Sequence, residues 1–294
     1  IALGHTADDQ AETFLMALSR ASGLDGLIGL RPSWQAEGAL WSRPLLGTTR
    51  ADLRAYLRRH GIPWAEDPTN DDPRFERVRA RRVMAALAPL GIDAGRIGRT
   101  QGHLRDAKRV LDDALALAVA AHVADAAGAL RVERAGFDRL PRDLQRQLLN
   151  AAVAWVSGIA LPPRAEKQVN LLAAAREGRE VTVHGCRLRH QGDRLLLTRE
   201  FRAVAALDGP TDVPWDLRWH LEGPHDPALA LRALGPGGLR ACPDWRRAGL
   251  PREVLIATPA VWRGETLVAA PLAGWPQGWT AKVSPSFAAT FEAH

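Results

Sequence analysis

Three carboxylates, Asp8, Asp9 and Glu12, fall within five residues of the opening stretch "IALGHTADDQAETFLMAL". They follow a hydrophobic triplet and a Gly-His-Thr, and they precede an apolar run. Asp8 and Glu12 are four apart and share one face of a helix, with Asp9 on the same first turn. Carboxylate oxygens at this density suit Mg²⁺, a hard cation that takes oxygen ligands and usually shares them with substrate phosphates. The competing reading is capping, because acids in a first turn interact favourably with the helix dipole.

Such a cluster must be positioned. Ile1–Gly4 reads as the tail of a buried parallel strand, and residues 7–20 read as a helix. A strand running straight into a helix puts the helix start at the carboxyl edge of a sheet, where open α/β folds bind ligands. Thr6, with Asp9 three residues on, is an acidic capping box. Ala11, Phe14, Leu15 and Leu18 recur at helical spacing as an apolar stripe. "SGLDGLIGLRP" is a glycine-punctuated loop, and residues 40–46 suggest a short strand. Residues 49–60 form an amphipathic helix capped by Thr49 and closed by Gly61. A proline-rich acidic loop follows, turning basic as a helix begins near Phe75.

From about residue 94 the character changes. Residues 95–127 are a long alanine-rich helical stretch, and residues 141–157 and 163–177 read as two more helices. "REVTVHGCRLRHQGDRLLLTRE" alternates around a Gly-Asp turn, the pattern of a hairpin. Beyond residue 203, Pro, Gly and Trp punctuate strand candidates at 216–221, 229–233 and 266–270. The late tryptophans Trp215, Trp219, Trp245, Trp262, Trp275 and Trp279 suit the core of a small β-rich region. His184 and His190 are expected at the surface.

Composition bounds the function. The chain has 294 residues, a net charge of +6 and a sequence pI of about 10.2. All but Lys108, Lys167 and Lys282 of its 39 basic residues are arginine. The balance favours an anionic partner such as nucleic acid, although arginine preference also fits a coding bias. Two cysteines, Cys186 and Cys242, exclude a disulfide framework. No CxxC or CxxH pair offers a zinc or iron–sulfur site. No apolar run is long enough to span a membrane, and no signal peptide is recognisable. The expected location is the cytoplasm.

"GHTADDQAET" resembles the GHxxDDxxET signature of the tRNA(Ile)-lysidine synthetase family of N-type ATP pyrophosphatases. The resemblance continues through "SGLDGLIGL" and "RPLLGTTRADLRAYLRRHGIPWAEDPTNDDPRFERVRAR". It is dense over residues 1–90, weaker to about 200 and loose beyond. It implies an α/β fold: the latter part of a parallel-sheet ATP-pyrophosphatase domain (1–93), a helical substrate- and tRNA-binding domain ending in a β-hairpin (94–202), and a small β-rich C-terminal region (203–294). The family's SGGxDS phosphate loop has no counterpart here, so the chain is expected to lack an N-terminal portion and most of its ATP site.

The implied reaction uses ATP and Mg²⁺ to adenylate C2 of the wobble cytidine of tRNA(Ile) with a CAU anticodon. The ε-amine of L-lysine then displaces AMP. Carried over, Asp8 and Asp9 are the metal and catalytic candidates, with His5, Glu12 and Thr13 supporting ATP. Asp67, Asn70 and Asp72 could hold the lysine amino group or order their loop. Arg77, Arg79 and Arg81 suit phosphates of ATP or tRNA, with Arg77 as a catalytic candidate, or they form a solvated basic face. Arg43 is a candidate substrate contact. Val78 departs from the family, many members of which carry Asn there. Two alternatives stay open: a sulfur-inserting tRNA-modifying enzyme of the same superfamily, disfavoured by the missing cysteine pairs, and a non-catalytic tRNA-binding derivative. The resemblance leaves a homodimer open.

Overall fold

The computed structural model describes residues 1–36, 38–65 and 74–291. Packing divides the chain into two units, Ile1–Leu111 and Asp112–His294. The whole is a mixed α/β protein. Among the described residues, no helix is long and apolar enough to cross a membrane.

In the first unit the order is α1 (Ala7–Ser19), α2 (Leu24–Leu27), β1 (Ser33–Ala36), β2 (Ala39–Ser42), α3 (Arg50–Arg59), α4 (Glu76–Leu87) and the start of α5 (Ala94–His122). The expected capping box opens α1: the Thr6 backbone N–H and hydroxyl donate to Asp9 Oδ2 at 2.8 and 2.7 Å. Thr49 and Asp52 repeat the device at α3, and Gly61, at φ +64°, follows its end. Each box satisfies backbone donors that a helix start leaves orphaned.

The strand expected at the N-terminus pairs in parallel with β2. Ala2 bridges Ser42, Leu3 N–H donates to Ser42 O, and Ser42 N–H donates to Ile1 O, both at 2.8 Å. The expected burial is not found, since Ile1 is 60% exposed. The buried face of α1 also differs from the apolar stripe. Ala7, Asp9, Gln10, Ala11, Glu12 and Ala17 are buried, whereas Leu18 is exposed. Polar side chains can turn inward here because each finds a partner. Gln10 accepts from Leu30 N–H at 2.7 Å and donates to Leu30 O at 3.3 Å, copying a strand pairing. Gln101 Nε2 holds Leu27 O at 3.2 Å. The loop between them needs Gly29, at φ +85°, where a Cβ would lie 2.4 Å from Gln10 Oε1.

In the second unit α5 ends at His122, and the chain becomes β3 (Val123–Ala126), turns, and returns as β4 (Ala129–Glu133). The helix expected to run to 127 is therefore five residues shorter. Ala127 and Gly128 take positive φ, and Asp125 Oδ1 accepts Gly128 N–H, so the alanine run reverses instead of coiling on. Then come α6 (Arg134–Arg139), α7 (Arg142–Ser157), α8 (Ala165–Glu177), β5 (Val181–Val183), β6 (Cys186–Gln191) and β7 (Arg194–Arg199). The expected hairpin is β6–β7, and it sits inside a five-stranded antiparallel sheet ordered β3-β4-β7-β6-β5. Leu130, Leu148, Leu171, Leu188, Leu195, Leu196 and Leu197 are all at most 1% exposed; each such burial is worth about 1.5–3 kcal/mol.

The chain continues as α9 (Phe201–Val204), β8 (Asp208–Pro210), β9 (Trp219–Glu222), β10 (Ala230–Ala233), α10 (Gly235–Ala241), α11 (Arg252–Leu255), β11 (Pro259–Arg263), β12 (Thr266–Ala269) and β13 (Thr280–Val283). These form a four-stranded sheet, β12-β11-β10-β8, and a ribbon of β13 with β9. Trp215, Trp219 and Trp279 are buried in one core cluster, as expected. Trp245, Trp262 and Trp275 pack at the edge of a second. His184 and His190 are half-buried rather than fully at the surface; Arg134 Nη1 lies 3.1 Å from His190 Nδ1.

Gly29→Ala should destabilise the protein more than Gly192→Ala. Both residues have positive φ, but nothing lies within 4 Å of the Cβ position at Gly192. Gly192→Ala should cost about 1–2 kcal/mol, and Gly29→Ala a further ~1–3 kcal/mol of overpacking. Urea unfolding of the two variants measures the difference; equal midpoints would remove the role assigned to the Gln10 contact.

Candidate active site

The start of α1, the start of α3 and the middle of α4 meet at the carboxylates. Their organiser is Arg50, the first residue of α3. Its backbone N–H donates to Asp8 Oδ2 at 2.7 Å, its Nη2 to Asp9 Oδ1 at 2.6 Å, and its Nη1 to Glu12 Oε1 at 2.7 Å. Arg81 Nε, from α4, shares Glu12 Oε1 at 3.0 Å. The Glu12 side chain is only 2% exposed, and a lone carboxylate there would be costly. Two guanidinium groups make its burial tolerable.

Electrostatics follow from these contacts. Burial pushes the Asp9 carboxyl up, but the Thr6 hydrogen bonds and the Arg50 charge outweigh it and hold Asp9 below its ordinary value. Burial likewise works against charge on Arg50, yet Glu12, Asp9 and Asp8 raise its pKa overall. One polar atom is left over: Glu12 Oε2 is buried with no hydrogen-bond partner among the described residues. Glu12 also lines a cavity of about 250 Å³ with Asp8, Arg81, Met84, Ala88 and Ile92. Its walls are aliphatic and its polar groups mostly anionic.

Of the residues singled out from the sequence, Asp8, Asp9, Glu12 and Arg81 are brought together. His5 and Arg43 form a second pair, Arg43 Nε donating to His5 Nδ1 at 3.2 Å. Thr13 is half-buried on α1, and Arg77 and Arg79 are exposed on α4. Asp67, Asn70 and Asp72 lie outside the described residues. Val78, the departure from the family pattern, is 6% exposed, so an amide there would need buried partners. Both oxygens of Asp9 are engaged by Thr6 and Arg50, whereas among the described residues Asp8 is held through Oδ2 alone. Among the described residues, no group of three or more His, Cys, Asp or Glu side chains is arranged to hold a metal. Arg50 was missed from the sequence. The signal was there: three acids on a helix start demand a cation, and "TTRAD" places one directly after a capping threonine.

The Asp9 shift sets a pH dependence. A carboxyl held below its unfolded value of about 3.9 contributes stability that is complete above that value and is lost as pH falls through the folded pKa. The wild-type urea midpoint should therefore fall on acidification from about pH 5 to pH 2. Asp9→Asn should be less stable at neutral pH and show a shallower acid limb. An identical limb in both proteins would mean that Asp9 is not the group being titrated.

Residues 1–87 match the PP-loop domain family. The chain is 45% identical over 283 residues to the tRNA(Ile)-lysidine synthase of Ruegeria pomeroyi, covering 96% of this chain and 68% of that protein. It is 36% identical over 206 residues to that of Hyphomonas neptunium, covering 67% and 55%. It is 34% identical over 253 residues to that of Xanthomonas axonopodis pv. citri, covering 82% and 54%. The chain thus spans about two thirds of the first relative and about half of the other two. A PP-loop match over the carboxylate unit, joined to this identity along nearly the whole chain, means that the chain belongs to the tRNA(Ile)-lysidine synthase family.

Proposed function

We propose that this chain takes part in ATP-dependent formation of lysidine at the wobble cytidine of tRNA(Ile). The cytidine O2 attacks the α-phosphate of ATP and pyrophosphate leaves. The ε-amine of lysine then attacks C2, the C2–O bond breaks, AMP departs and the amine loses a proton. The observation that carries the reading is the buried carboxylate cluster at the start of α1, locked by Arg50 and Arg81 beside a cavity. A cluster serving only as a helix cap would not need two cations from other helices.

The residues fit distinct tasks. Asp8, with an oxygen not engaged by Arg50, suits Mg²⁺, which would neutralise charge on the ATP phosphates. Asp9 keeps the geometry through Thr6 and Arg50 rather than through free oxygens. The exposed Arg77 and Arg79 suit RNA or nucleotide phosphates. The cavity suits lysine: Met84, Ala88 and Ile92 would line the butyl chain, and Glu12, whose Oε2 has no partner among the described residues, would face the amine. Residues 1–93 would carry the nucleotide chemistry and residues 94–202 would bind tRNA. Both cysteines are free and buried, and burial pushes the Cys186 thiol up to about 12; neither suits sulfur transfer, which needs an accessible thiolate.

Asp8→Asn in the full-length enzyme should lower the rate of lysidine formation by about 100-fold or more, the scale for losing charge stabilisation in a reacting site. tRNA binding, measured by filter retention, should be unchanged. Near-normal turnover would remove Asp8 from the chemistry. Ala88→Trp, at an exposed position on the cavity rim, should raise KM for lysine while leaving tRNA-dependent ATP–pyrophosphate exchange intact. An unchanged lysine KM would move the amino acid elsewhere.

A further inference from the structure

The hairpin β1–β2 carries an aromatic ladder that is tied through Arg43 to His5, in the segment that carries the acids. Trp34 and Trp41 stand opposite each other in register, and their rings stack with centroids 5.8 Å apart and 13° between planes. Arg43 follows Trp41 by two residues and so leaves the strand on the same face. Its guanidinium lies 4.4 Å from the centroid of the Trp34 ring. Arg43 is pinned twice, Nε to His5 Nδ1 at 3.2 Å and Nη1 to Arg31 O at 2.8 Å. His5 lies in the carboxylate stretch, three residues before Asp8. Trp41, Trp34 and Arg43 therefore form a continuous run of flat groups, His5 ties that run by a hydrogen bond to the chain that carries the acids, and all four are only half-buried.

A cross-strand tryptophan pair alone would be ordinary hairpin packing. Here it is joined to a cation held in place through Nε by the His5 ring and through Nη1 by a loop carbonyl, and the whole run stays partly accessible to solvent. We propose that this ladder is a stacking platform for the unpaired nucleotides that flank the reacting cytidine. The inference rests on the lysidine-forming reading above. Chemistry on a base requires that base to leave its stack, so its neighbours lose a stacking partner. Tryptophan, histidine and guanidinium planes are the groups on which unpaired RNA bases stack. Arg43 adds a positive charge for the phosphates between them.

The test uses the full-length protein with an anticodon stem-loop carrying 2-aminopurine on either side of the cytidine, and with intact tRNA(Ile). Wild type should quench the 2-aminopurine. Trp34→Leu and Trp41→Leu keep apolar bulk but lose the ring, so each should abolish the quench and weaken tRNA binding by roughly 5- to 150-fold, the range for one stacked base. Trp34→Phe should retain most of the binding, and KM for ATP should not move in any variant. Absence of quenching by wild type, or wild-type tRNA affinity in both leucine variants, would overturn the platform. So would a raised ATP KM with unchanged tRNA affinity, which would give the ladder to the nucleotide's adenine. Equal losses in Trp34→Leu and Trp34→Phe with a lowered Tm would return it to hairpin packing. A wild-type protein that quenches but forms no lysidine would count against the reaction and not against the platform.

Discussion

Everything in the first unit turns on one guanidinium. Arg50 reaches Asp9 and Glu12 with two nitrogens and Asp8 with its backbone N–H. Three acids gathered at one helix start repel one another, and Glu12 is almost fully buried. A planar donor fork is the group best matched to hold two carboxylates at fixed separation. Replacing one partner leaves an uncompensated buried charge, typically costing about 3–5 kcal/mol. The arginine thus couples α3 to α1, and through Arg81 and Glu12 the same network reaches α4.

The second unit has its own buried ion pair. Arg199, at the end of β7, donates through Nε and Nη2 to both oxygens of Asp216 at 2.9 Å, and through Nη1 to the carbonyls of His184 and Gly185. Asp216 and Leu217 take positive φ to make the turn between Trp215 and Trp219. The pair ties the β5–β6 turn to the segment beyond residue 203. Beside it, burial pushes the Arg218 pKa down to about 10, against the opposing charge of Asp216. Arg218 remains a cation at neutral pH, donates to Gly128 O at 2.8 Å and sits over the rings of Trp155 and Trp219. Arginine, with a pKa too high to shed its proton on burial, can serve as such a fixed interior cation where lysine would neutralise.

The two halves of the candidate site divide the chemistry by charge and hydrophobicity. The acid cluster and its aliphatic cavity suit a cation and an amine. The Arg43–tryptophan ladder suits flat rings and phosphate. Their connection is the segment His5–Asp8, which contributes His5 to one and Asp8 to the other.

The sequence by itself determined the local elements and the family. The Thr6–Asp9 capping box, the Thr49 cap, the α3 boundaries, the β6–β7 hairpin and the grouping of Asp8, Asp9 and Glu12 follow from spacing and side-chain chemistry within a few residues, so they were legible in the sequence. Tertiary structure decided what local pattern cannot encode. Polar residues of α1 turn inward beside its alanines, because Gln10, Asp9 and Glu12 meet Leu30 and Arg50 from 20 to 41 residues away. The alanine-rich stretch past His122 became a strand, because β4 and β7 offered a sheet edge. Arg50 and Arg81 look like ordinary helix arginines in sequence; only packing brought both onto one carboxylate oxygen. Helix propensity and periodicity are summed over neighbours in the chain, whereas a buried charge is settled by whichever opposite charge the fold delivers to it.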